Sequence, residues 1–163
     1  MPRQGGIQPL RGDTMLRKTS ENIISEYGCE RKATTIRLYS SDDELVFIEL
    51  TPAFITEDGN IFWDRYDSLT VYRTDCEKFL IPIFDEIFPI KDPDPNNSWG
   101  MQDNFDPCSL NWFGREDWLK IAELLRKRCA DTNSDERDFC LEAAGFIERT
   151  ADISVIFCIE GNL

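Results

Sequence analysis

The sequence predicts an α+β fold: an antiparallel or mixed sheet of about five to six strands, with a helix pair over residues 115–150 packed on one face. Three observations carry the prediction. Trp118, Ile121, Ala122, Leu125 and Cys129 recur at helical spacing. Acids precede them and the Arg126, Lys127, Arg128 run follows, so one stripe is apolar and both ends suit the helix dipole. Period-two alternation over 34–40 and again over 153–159 marks strands. Residues 45–50 are apolar on both sides, as expected of a central strand covered on both faces.

Taken in order, residues 1–14 are rich in Gly, Pro, Gln and Arg and lack periodicity, so they are expected to be a disordered N-terminal extension, with a single domain over 15–163. Thr19 or Ser20 can cap a short helix with Ile23, Ile24 and Tyr27 on one side and Gly28 at its exit. The 34–40 strand follows, then a turn at Ser41, Asp42 and Asp43, then the central strand, which is expected to end before Pro52. Phe54 and Ile55 pair across a Gly59-containing turn with Ile61, Phe62 and Trp63 as a hairpin, and 69–73 is another strand. Thr74 and Glu77 have the spacing of a capping box before an apolar run to Phe88, and Pro82 predicts that this helix is kinked or restarts there.

Residues 89–111 hold four prolines and show no period, so a long loop is expected, continuing through Trp112 and Phe113 to the helix at 115. Ser134 is expected to cap the second helix, with Phe139, Ala143, Phe146 and Ile147 along one side; so short a connection predicts antiparallel packing. The final strand alternates Ile153, Val155, Phe157 and Ile159 with Ser154, Ile156 and Cys158, which suits an interior position in the sheet.

Composition narrows the chemistry. The chain has no histidine, so it lacks Ser/His and Cys/His couples and any imidazole ligand set. Six cysteines are widely spaced without a C-x-x-C pair, so no metal and no cofactor is expected; Cys129, Cys140 and Cys158 fall on apolar faces and read as buried free thiols. Asp92, Asp94, Asn96, Ser98 and Asp103 follow EF-hand spacing, but Asn97 stands where the turn needs glycine and Asp103 where a bidentate glutamate belongs. Nucleophile-elbow and phosphate-loop motifs are missing, so no catalytic residue is assigned and an enzyme is not expected. No apolar run approaches the length of a membrane span and no signal-like segment opens the chain, so a cytoplasmic address is expected.

Charge is the strongest global signal. The net charge is −13, with sixteen acids against four bases in 38–114, while 1–37 is net positive. Such a field disfavours nucleic acid and anionic membrane and favours a basic protein partner. Aromatic anchors interleaved with carboxylates supply candidate contacts: Asp92, Asp94, Trp99, Asp103, Phe105 and Asp106 in the long loop, and Trp63, Asp64, Tyr66 and Asp67 at the hairpin end. Trp112 and Phe113 are expected instead to fold back and hold the following helix on the core. The functional expectation is a non-catalytic acidic protein that inhibits a basic partner, as a bacterial immunity protein neutralises a nuclease toxin. An adaptor domain or a carboxylate-dependent enzyme is the alternative.

Overall fold

The computed structural model describes residues 15–24, 28–63, 65–94 and 100–163. The expected N-terminal extension, Tyr27, and two of the predicted contact residues, Asp64 and Trp99, lie outside these. The described residues form an α+β architecture in which helices cover one face of a mixed, seven-stranded sheet.

Strands β1 (Arg17–Ile24) and β2 (Glu30–Arg37) make an antiparallel hairpin, paired from Arg17↔Arg37 to Ile24↔Glu30. This corrects the helix expected near 19–28. A helix there would need a surface on which to bury Ile23 and Ile24, yet Ile24 is 74% exposed; β-branched Thr19, Ile23 and Ile24 suit extended backbone satisfied by β2.

Strand β3 (Phe47–Ile55) is central, but it runs through Pro52 instead of ending before it. Its pairing with β5 (Ser68–Tyr72) stops at Leu50↔Leu69, so at Pro52 only one neighbouring strand remains and a missing N–H is tolerated. The expected hairpin is present: β4 (Ile61–Phe62) returns against Phe54 and Ile55. Strand β5 then inserts between β2, to which it is parallel, and β3, to which it is antiparallel, giving the order β1-β2-β5-β3-β7-β6.

The apolar run after β5 folds as α1 (Arg73–Asp75), a π-turn (Cys76–Leu80) and α2 (Ile81–Ile87). Pro82 lies in the first turn of α2, where its missing N–H costs nothing, so the helix restarts as expected. The capping box does not form. Thr74 donates its backbone N–H (3.0 Å) and hydroxyl (2.8 Å) to Glu44, and Glu77 pairs with Arg73 at 3.2 Å instead. Burial raises the Glu44 carboxyl, but the hydrogen bonds from Thr74 and Ser41 and the nearby Arg37 outweigh it and hold the group below its ordinary range. Asp75 is fully buried and accepts from the N–H groups of Leu38 (2.8 Å), Tyr39 (2.8 Å) and Ser40 (3.3 Å), tying the end of β2 to this helical segment.

Helix α3 (Arg115–Arg128) has the predicted bounds and buries Trp118, Ile121, Ala122, Leu124 and Leu125. Helix α4 (Ser134–Thr150) is capped one residue earlier than expected, by Asn133, whose side chain accepts from Glu136 N at 2.8 Å. The helices run antiparallel: Trp118 Nε1 donates to Thr150 Oγ1 (3.1 Å) at one end, and Cys129 is disulfide-bonded to Cys140 at the other, with Cα atoms 6.3 Å apart. That bond corrects the reading of both cysteines as free thiols; their sites on facing apolar stripes bring the sulfurs together.

Two strands close the sheet. The segment expected to be loop up to Phe113 contains β6 (Leu110–Gly114), and β7 (Ile156–Gly161) lies between β3 and β6, the interior position predicted for it. Ile153 and Val155 precede the strand and are exposed. At Gly161 a Cβ would stand 2.4 Å from Pro107 O, so the close approach of that loop requires glycine. The main core lies between sheet and helices: Ile36, Leu50, Val71, Phe157 and Phe113 meet Phe84, Trp118 and Phe139 there.

Candidate functional site

Strand alternation settles what the other face of the sheet presents. Ile48 and Leu50 of β3, Phe157 and Ile159 of β7 and Phe113 of β6 point toward the helices, so Glu49, Thr51 and Ala53, then Ile156, Cys158 and Glu160, then Leu110 and Trp112 point away. Register aligns these into rows. Thr70, Glu49, Glu160 and Leu110 are successive neighbours across four strands, and Thr51, Cys158 and Trp112 form the next row.

The first row sets two carboxylates directly opposite each other, with Cβ atoms on the order of 5 Å apart, an arrangement that is ordinarily destabilising. Burial raises the Glu160 carboxyl above its usual range, and Glu49 raises it further. Neither glutamate has an ion-pair or hydrogen-bond partner among the described residues. In the second row Cys158 is fully buried; burial pushes its thiol strongly up, and the charges of Glu160 and Glu49 add to the shift. A thiol so firmly protonated is a poor nucleophile.

Aromatic side chains wall this pair on one side. Trp63 meets Trp112 edge to face with centroids 6.0 Å apart, and the two pack on Ala53, Ile156 and Cys158 as a small second cluster. The Thr51 hydroxyl donates toward Trp63 O at 3.2 Å, holding the segment after β4 on this face. On the other side the cations of β2 are engaged: Arg37 lies 3.7 Å from the centroid of the Tyr72 ring and donates to Ser41 O, and Arg31 donates to Ser68 Oγ at 3.0 Å.

The predicted contact residues are distributed unevenly around this arrangement. Trp63 belongs to it. Tyr66 packs edge-on against Phe54, and Asp67 accepts from Lys32 N at 2.8 Å, toward β2. Phe105 turns into the main core and stacks on Phe84 at 4.1 Å. Asp92 holds its own loop together, accepting from Asp94 N (2.8 Å) and Gly100 N (2.6 Å), while Asp94 is buried. Asp103 and Asp106 are exposed, and Asp106 also accepts from Cys108 N at 3.0 Å.

The loop nevertheless runs alongside the aromatic wall. Gln102 accepts from Trp112 N (2.8 Å) and donates to Trp112 O (2.6 Å), so its side chain occupies the outer edge of β6 and places Asp103 beside it. The expectation for Trp112 and Phe113 divides accordingly: Phe113 packs toward Trp118 in the main core, whereas Trp112, its neighbour on the strand, faces the other way. Sequence reasoning missed Glu49, Glu160 and Trp112. The signal was a lone carboxylate inside each of two apolar strands, 47–55 and 156–161. No protein-family model, curated protein or solved structure matches this chain.

Proposed function

We propose that this protein is a non-catalytic inhibitor that binds a basic protein through the helix-free face of its sheet, centred on Glu49, Glu160, Trp63 and Trp112, with the acidic loop beside β6 extending the contact. A bacterial immunity protein that neutralises a nuclease toxin fits this description, because a nuclease cleft built for phosphate offers the cationic surface such a face would accept. The observation that carries the reading is the Glu49–Glu160 pair, which sits half-buried near two tryptophans and has no ion-pair partner among the described residues. A like-charge pair raises the energy of the unbound protein, and an arginine or lysine inserted from a partner relieves that repulsion on binding. The aromatic wall supplies contact area and excludes water around the new ion pair.

The test is affinity capture from the native host with the wild-type chain and with E49Q/E160Q, followed by mass spectrometry and assay of the captured protein's activity. A basic protein retained by wild type, lost with the double variant and inhibited stoichiometrically by the wild type is the expected result. A captured protein that is acidic, or held equally by both, defeats the reading. One that is bound but not inhibited makes this an adaptor domain.

A further inference from the structure

The hairpin of β1 and β2 lies over α4, and between them is a cavity of about 300 Å³ on the helix side of the sheet, away from the acidic face. Its chemistry is unlike the rest of the chain. Lys18 and Lys32 reach it from the hairpin and Arg149 from α4, giving three cations against two acids, Asp67 and Glu142, in a protein of net charge −13. Both acids are already engaged: Glu142 pairs with Lys18 at 3.0 Å, and Asp67 accepts from the backbone of Lys32. Lys32 Nζ and the Arg149 guanidinium have no ion-pair partner among the described residues.

Two further features suit a bound anion. Ser20 and Thr34 bring their hydroxyls within 3.0 Å of each other on the same wall, leaving donor capacity beside the cations. Midway along α4 stands Gly145, a residue that weakens a helix relative to alanine; a Cβ there would come 3.0 Å from Arg149 Nη1. The missing side chain makes room for the guanidinium to fold back along its own helix. The floor, in contrast, is apolar: Leu69 and Phe146 are buried beneath the cations, and Ile153, half exposed, forms part of the rim.

We propose that this cavity binds a small organic anion, a carboxylate or phosphate monoester whose charged head lies between Lys32 and Arg149 and whose apolar body covers Phe146 and Ile153. Its volume is at the lower end of small-molecule sites, which limits the ligand to a single ring or short chain. The site is independent of the acidic face and stands or falls separately from it.

Amide-resolved NMR titration of the full chain tests it, with benzoate and phenyl phosphate as probes and benzyl alcohol and benzylamine as controls, all at constant ionic strength. Either anion is expected to shift the amides of Thr34, Leu69 and Thr150 with a Kd of about 1 mM or tighter, the neutral and cationic controls binding at least about tenfold more weakly. R149Q and K32Q, checked for intact fold by circular dichroism, each reduce anion affinity about tenfold; G145A weakens it by displacing the guanidinium, and K127Q leaves it unchanged. A response to only one of the two probes identifies the head group. Binding of benzyl alcohol as tight as that of the anions, anion affinity undiminished in both R149Q and K32Q, or no anion-dependent shift at these amides overturns the proposal.

Discussion

Glu160 is the side chain on which stability and binding pull in opposite directions. Burial and the facing Glu49 hold its carboxyl above the ordinary range, so the folded state keeps the proton more tightly than the unfolded chain does. Stability therefore falls as pH rises from the unfolded value through the folded one, and at neutral pH the full penalty is present. E160Q removes the charge, and a melt near pH 7 is expected to show a variant more stable by roughly a few tenths of a kcal/mol, the discounted magnitude for a partly exposed cross-strand pair. Below the ordinary carboxylate range, where wild-type Glu160 is itself protonated, the two melting curves should converge. Partner affinity moves the other way: it drops in E160Q, and in wild type it weakens as pH falls through the raised pKa, because a cation on the pair requires the charged form. An E160Q protein that is less stable at neutral pH would show that the repulsion is absent.

Among the elements, those legible in the sequence were the ones whose pattern is local. Helix α3 is legible to its ends because Trp118, Ile121, Ala122 and Leu125, the first-turn acids and the last-turn bases all agree within fourteen residues. Helix α4 and the centre of β3 followed for the same reason. Strand β1 was not legible, since Thr19, Ile23 and Ile24 fit a short helix as well as a strand and only the pairing with β2 decides. Strand β6 was hidden because its order comes from β7, some fifty residues later, and from a glutamine side chain along its edge. The site was least legible of all: Glu49 and Glu160 become neighbours through a register set between strands 111 residues apart. The α3–α4 pair also bears on compartment. A Cys129–Cys140 bond belongs with oxidising surroundings, against the cytoplasmic address that the sequence favours. Protein isolated from its host without reductant and alkylated after denaturation is expected to carry four adducts of its six cysteines, and six after reduction. Six adducts at the outset would mean that the thiols are kept reduced in the cell. The closed loop spans only 11 residues of sequence separation, so C129S should lower stability by about 2 to 3 kcal/mol.

For the molecule as a whole, the layered fold sorts its charge. The acids of the middle third are not all available: Asp75 is sealed in the core, Asp94 is buried and Asp92 is committed to loop backbone. In the helix layer Arg126 pairs with Glu148 and Arg115 with Asp152, both at 2.6 Å. The helix-free face keeps Glu49 and Glu160 without an ion-pair partner among the described residues, and Asp103 and Asp106 stand exposed in the loop beside it. Association with a basic partner should accordingly slow steeply with added salt, falling about tenfold or more in rate between low and physiological ionic strength, while dissociation changes little. Stopped-flow mixing at several salt concentrations measures this; an on-rate insensitive to salt would show that the field plays no part in recognition. D103K should flatten that dependence, whereas charge reversal at Asp94 would act through the fold.

The place of β7 between β3 and β6 has a consequence for how the protein is made. In chain order this strand comes after every other, yet it fills an inner slot. A nascent chain that has emerged only as far as α4 therefore shows two raw sheet margins, those of β3 and β6, with Phe157 and Ile159 still missing from the space beneath them. Until residues 156–161 are in place the sheet stays in two pieces, and a ribosome stalled just before Ile156 would hold a chain primed to stick to its neighbours.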